Sequence, residues 1–128
     1  MKKDLNIIVT VYSQQVETLL KSNLYPFKTD RKTVSNKRGI YAIFEHDSYL
    51  IYIGISGNIR RRIFGDHLTG DIKASSFRNN LSQHYKLKPE KAITNYIAKN
   101  CTFRFMELKK PKYLEYFAIS VLKPKLNR

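Results

Sequence analysis

Acidic residues are scarce in this 128-residue chain: ten Asp and Glu stand against 24 Lys and Arg, a formal net charge of +14. A surplus of that size points outward to a polyanion, nucleic acid first and an anionic membrane surface second. Cysteine occurs once, at Cys101, which excludes an internal disulfide framework and any all-cysteine zinc site. No segment approaches the ~20 consecutive apolar residues of a membrane span. The apolar stretch Leu5 to Val11 gives way to Ser13-Gln14-Gln15 too soon to form the core of a signal peptide. Repeats and low-complexity tracts are missing too, so the basic charge is not a detachable tail. What is present is enough apolar residue, 42% of the chain, to build the core of one ordinary domain. The expectation is a soluble cytoplasmic protein (nucleoid-associated in a bacterial cell) that handles nucleic acid and spans no membrane.

The chain divides into an N-terminal helix and basic connector, residues 1–37, and a main domain, 38–128. Thr10 is placed to cap the first helix, with Val11, Val16, Leu19 and Leu20 spaced to bury one stripe and Pro26 stopping it beyond Asn23. From Lys28 to Arg38 the sequence is polar and basic, a solvated connector. Then the period changes. Gly39 to Glu45 and Leu50 to Ile55 read as two strands of a hairpin across His46-Asp47-Ser48-Tyr49. Asn58 suits the N-cap of a helix from Ile59, which Gly65 and Gly70 fray and end. Ser75 or Ser76 opens a helix to Tyr85, Pro89 opens another to about Lys99, and Cys101 to Leu108 reads as a third strand. Pro111 begins a last helix through Leu122, closed by Pro124. The fold class is therefore α+β: a three-stranded antiparallel sheet flanked by helices, with an N-terminal helical extension.

Three groups of residues carry potential chemistry. An even-length hairpin loop sets Glu45 opposite Leu50, Ile43 opposite Tyr52 and Tyr41 opposite Gly54. Tyr41 and Tyr52 then share a face as diagonal neighbours, with open space at Gly54 beside the Tyr41 ring. An odd-length loop would put them on opposite faces. Ordinary half-buried strand tyrosines would look the same. On the next helix, Ile59 and Ile63 mark the buried side, so Arg62 leans toward the sheet and His67 continues the inward stripe. That pair suits the grip and activation of a phosphodiester; equally, Arg62 suits an ion pair with Asp66 and His67 a boundary position. Glu115 is the one carboxylate in the apolar run Leu114 to Leu122. Facing inward it needs a cation, either a divalent metal or Arg62; otherwise it complements the helix dipole as a first-turn acid.

Taken together these residues resemble the GIY-YIG nuclease family. Gly39-Ile40-Tyr41 and Tyr52-Ile53-Gly54 spell its two name-giving tripeptides at hairpin spacing. The family's Arg, ten residues after the second Tyr, falls on Arg62. Its Glu, early in the final helix, falls on Glu115, and its Asn, after a Lys-Pro stretch, falls on Asn127. His67 matches a His found in many members, one residue later than in some of them, with Gly65 loosening the helix between. Ile55 stands where some members place a lysine. The motifs run from about Gly39 to Asn127.

The resemblance implies metal-dependent hydrolysis of DNA, with RNA as the other candidate, by Tyr41, Tyr52, Arg62, His67, Glu115 and Asn127. Glu115 would be the sole protein ligand of one Mg²⁺ or Mn²⁺, whose other positions go to water and phosphate oxygens. Tyr41, with its phenol pKa lowered from ~10 by nearby cations, or else His67, would act as general base. Tyr52 and Arg62 would hold the phosphate, while Asn127 would orient Glu115 or the helix end. Lys37, Arg38, Arg60 and Arg61 are the candidate contacts to the nucleic-acid backbone. With so little chain outside the motifs, cleavage of low sequence selectivity, or directed by substrate structure or a partner, is expected over a sequence-specific restriction or homing enzyme. A non-catalytic binder on the same scaffold is the other alternative, disfavoured because a bare carboxylate facing phosphate weakens binding. Oligomeric state is not legible.

Overall fold

The computed structural model describes residues 2–127, and the side chains of 4–127. A central antiparallel sheet carries helices on both faces, the arrangement that lets each element bury an apolar side. In chain order the elements are α1 (Lys2–Lys21), β1 (Tyr25–Pro26), a 3₁₀ turn (Arg31–Thr33), β2 (Gly39–Glu45) and β3 (Tyr49–Ser56). A π-helix (Arg61–Leu68), α2 (Ser76–Tyr85), α3 (Glu90–Asn100), β4 (Cys101–Glu107) and α4 (Lys112–Leu122) follow. The strand order is β1-β4-β2-β3. The fourth strand, a two-residue edge, is the small difference from the three expected. Tyr25 and Pro26 leave α1 extended and pair with Phe103 and Thr102 of β4; proline is tolerated there because an edge strand has one side free of partners.

Every residue of β2 is buried, as befits a central strand covered on both faces. One face packs Tyr41, Ile43 and Phe103 against Ile59, Ile63, Phe77, Leu81 and Ile97 of the following helices. The other packs Ile40, Ala42, Phe44 and Ile53 against Val16 and Leu19 of α1 and Leu114 and Ala118 of α4. None of the described helices is long and apolar enough to cross a membrane.

Helix α1 starts well before the expected cap. Thr10 lies in its interior, and residues 4–11 are exposed on every side, including Val11, which was expected in the buried stripe. Packing on the domain begins at Tyr12, whose ring lies 5.6 Å from that of Phe117. The remaining stripe (Val16, Leu19, Leu20) docks as anticipated. Asn58 and Ser75 cap where expected: Asn58 Oδ1 accepts from the Arg61 N–H and Ser75 Oγ from the Arg78 N–H, both at 3.0 Å. Pro89 and Pro111, expected as first helical residues, stand one position earlier, at the N-caps of α3 and α4.

The hairpin departs from the expectation twice, and the departures cancel. Glu45 pairs with Tyr49, not Leu50, so the loop is three residues long, with His46 and Asp47 in the left-handed region. An odd loop alone would separate the two motif tyrosines. A β-bulge then inserts Ile51 between the pairs Phe44–Leu50 and Ile43–Tyr52, restoring Tyr41 opposite Gly54. The bulge is used: the Ile51 carbonyl accepts from the Leu126 N–H at 2.8 Å, pinning the C-terminal strap to β3.

Candidate active site

Tyr41 and Tyr52 emerge on the same sheet face, their rings 6.5 Å apart and roughly parallel. Gly54 makes room for the first of them. A Cβ there would sit 2.3 Å from the Tyr41 hydroxyl, so the gap beside the ring is filled by the phenol itself. The π winding of Arg61–Leu68 adds a residue per turn. It carries His67, one position later than in some members of the resembled family, fully into the interior.

There His67 Nε2 lies 2.5 Å from the Tyr41 hydroxyl and Nδ1 lies 2.7 Å from Ser75 Oγ. The positive charge of Arg62 acts on the same phenol. Both partners of the imidazole are hydroxyls, able to donate or accept, so the directions of the two hydrogen bonds are set together by the tautomer of the ring. Ser75 is buried and caps α2 at the same time, so its position is fixed by the helix it starts.

The electrostatics correct one expectation. The Tyr41 phenol is not acidified. Burial, reinforced by Tyr52, holds its pKa well above the usual phenol range, and the opposing pull of Arg62 does not overcome that. Burial also raises Tyr52. Desolvation, aided by the charges of Arg62 and Arg78, pushes the His67 pKa down to about 3, so the imidazole is neutral and an acceptor at physiological pH.

Arg62 forms the ion pair with Asp66 that was the structural alternative for it. Its Nη1 donates to Asp66 Oδ2 at 3.1 Å and to the Ala74 carbonyl at 3.0 Å. Its charge nonetheless reaches Tyr41, Tyr52 and His67.

Glu115 enters from the opposite layer, on α4, at the edge strand β3. Its carboxylate has no hydrogen-bond or ion-pair partner among the described residues, and partial burial raises its pKa. It lines a cavity of about 450 Å³ together with Tyr52, Ser76, Asn80, Tyr116 and Asn127. Asn127 makes no hydrogen bond to Glu115. It brackets the β3 backbone, Oδ1 accepting from the Ile53 N–H and Nδ2 donating to the Ile53 carbonyl, both at 2.8 Å. The motif asparagine thus acts as a one-residue strand on an open edge, and it fixes the cavity wall one residue from Tyr52.

The donor set suits one kind of ion. No group of three or more His, Cys, Asp or Glu able to hold a metal exists among the described residues. A lone unpaired carboxylate facing an open cavity fits a hard cation that keeps most of its shell as water and phosphate oxygen, and does not fit a closed zinc site.

Of the other candidates, Lys37, Arg38 and Arg61 are exposed. Arg60 is committed to structure: its Nε donates to the Val34 carbonyl at 2.9 Å, tying the connector to the π-helix. Three residues that sequence reasoning missed hold the site. Ser75 was placed as a cap but not as the histidine's partner. Asn80 Nδ2 donates to the Leu126 carbonyl at 2.7 Å, holding the strap that carries Asn127. Arg78 is wholly buried and donates to the His67 and Leu68 carbonyls, Thr94 and Glu90, joining the end of the π-helix to α2 and α3. A buried arginine looks like any surface cation in a sequence this basic.

In a comparison with known families, the model of the GIY-YIG catalytic domain matches residues 20–128, a span that reaches back into α1. No curated protein matches the chain.

Proposed function

Since the chain belongs to the GIY-YIG catalytic-domain family, and is thereby a nuclease of that superfamily, we propose that it is a Mg²⁺- or Mn²⁺-dependent endonuclease hydrolysing DNA phosphodiester bonds. Its selectivity comes from substrate structure or a partner and not from base sequence. The observation that carries this reading is the shared cavity of Tyr52 and Glu115. An unpartnered, half-buried carboxylate is unfavourable unless something positive joins it. A protein that only bound phosphate would be better off without it.

In this reading Glu115 would hold one hard cation, which would supply positive charge to offset the negative charge that develops as the phosphodiester is cleaved. Tyr52 donates its hydroxyl to a non-bridging phosphate oxygen, and Arg62 supplies the positive charge that the pentacovalent phosphorus demands. Tyr41, one layer deeper, is a relay. As its oxygen accepts a proton from the attacking water, its own passes to His67 Nε2 over the 2.5 Å contact. The high phenol pKa and the neutral imidazole both belong to that arrangement: the phenol keeps its proton until the histidine takes it. A phosphodiester beside Arg62 also cancels one of the charges that depress the imidazole, so substrate binding makes His67 a better acceptor. The Ser75 contact fixes the orientation of the ring, and the relay requires the imidazole proton on Nδ1.

The test is cleavage of supercoiled plasmid and of single-stranded, flapped and branched oligonucleotides, with and without Mg²⁺, against Glu115→Ala. Metal-dependent nicking lost in the variant supports the assignment. Salt-sensitive binding without cleavage on every substrate overturns it.

A further inference from the structure

A second depression of about 580 Å³ lies beside the catalytic cavity, between the start of α4 and the end of β3. Four cations surround it: Arg38, Lys109, Lys110 and Lys112. None of them is in an ion pair among the described residues. Its rim carries Tyr113, 64% exposed, and one helical turn on, on the same side of α4, Tyr116 is 54% exposed. The two rings meet edge to face, their centroids 6.2 Å apart. Tyr116 lines the cavity of Tyr52 and Glu115, while Tyr113 lines the basic groove. The pair is an aromatic ledge joining the two.

Exposed phenol faces contribute little to a duplex, whose bases are stacked on one another. They suit unpaired bases, which stack on any aromatic surface irrespective of sequence while nearby cations track the phosphates. We infer that this groove and ledge bind a single-stranded nucleic-acid segment and lead it into the catalytic cavity, so the substrate is unpaired or branched on the α4 side. The inference rests on the nuclease reading for its purpose. Its binding claim stands on the groove alone.

Fluorescence anisotropy in EDTA separates the two. The probes are a labelled oligothymidylate of about 12 nucleotides and a blunt hairpin duplex of similar length. The Tyr113→Ala/Tyr116→Ala variant is expected to lose roughly tenfold or more in affinity for the single strand and to bind the duplex as wild type does. Tyr113→Phe/Tyr116→Phe keeps the stacking face and restores single-strand binding. Lys109→Ala/Lys110→Ala weakens both probes and flattens the salt dependence. Unchanged single-strand affinity in the double alanine variant, or an equal loss on both probes, overturns the inference. A wild-type chain showing the stacking preference but cutting nothing in Mg²⁺ would retain the groove and sink the nuclease reading. Cleavage indifferent to the tyrosine pair would do the reverse.

Discussion

The Tyr41 hydroxyl and His67 Nε2 are 2.5 Å apart inside the core, and neither side chain has appreciable contact with solvent. In the proposed relay the two groups act as one proton-transfer unit, so its members should fail together. Tyr41→Phe and His67→Ala are each expected to lower single-turnover cleavage by about 10²–10⁴-fold. The double variant should be little worse than the poorer single, because each removes the same relay. Single-turnover rates under saturating Mg²⁺ check this. A Tyr41→Phe enzyme that still turns over would make His67 the base.

Acid should expose the buried imidazole. The folded chain protonates His67 only near pH 3, whereas the unfolded chain does so near 6.5. Between those values the unfolded state binds the extra proton. Stability therefore falls as pH drops through that window, by up to about 1.4 kcal/mol per pH unit from this group, and is unaffected by it above the window. Urea titrations from pH 7.5 down to pH 4 on wild type and His67→Gln test this. The variant should show a shallower decline, and parallel curves would contradict the burial argument.

Removing the charge of Glu115 should separate stability from activity. Its carboxylate is partly desolvated and unpaired, so Glu115→Gln is expected to leave the fold as stable as wild type or slightly more so, by up to about 1 kcal/mol, while metal-dependent cleavage falls by at least about 100-fold. Thermal melts without divalent ions, set beside nicking assays, provide the comparison. A marked loss of stability would mean the carboxylate has a structural partner.

Gly54→Ala places a methyl group 2.3 Å from the Tyr41 hydroxyl. Because the neighbour is the far end of a side chain, the ring can rotate away. The cost to stability is expected near 1–3 kcal/mol, with the Tyr41–His67 contact broken and cleavage reduced as in Tyr41→Phe. The corresponding change at Gly39, where the obstacle is the Met106 carbonyl, should cost more stability. Denaturant midpoints and rates on both variants discriminate side-chain from backbone obstruction.

What the sequence made legible was local: the caps at Asn58 and Ser75, the helix-opening prolines, and the shared face of Tyr41 and Tyr52. What it hid depended on tertiary placement. The charge environment of Tyr41 was misjudged because the nearby cations were visible and the depth of burial was not. Arg78 could not be told from the surface cations, since only packing reveals that its partners are backbone carbonyls at the end of the π-helix. The start of α1 was obscured because residues 4–11 have no buried stripe to set a period. Asn127 was expected to orient Glu115 or the helix end; its hydrogen bonds go to the Ile53 backbone, which is available because β3 is a sheet edge.

The bulge ties the motif tyrosines to the ladder and frees them from the tip. With Ile51 excised, Tyr52 would follow Leu50 directly and still pair with Ile43, so both phenols would keep one face; what would go is the carbonyl that anchors Leu126. A redesigned tip can vary in length, provided that the Ile51 carbonyl is kept to hold the C-terminal strap.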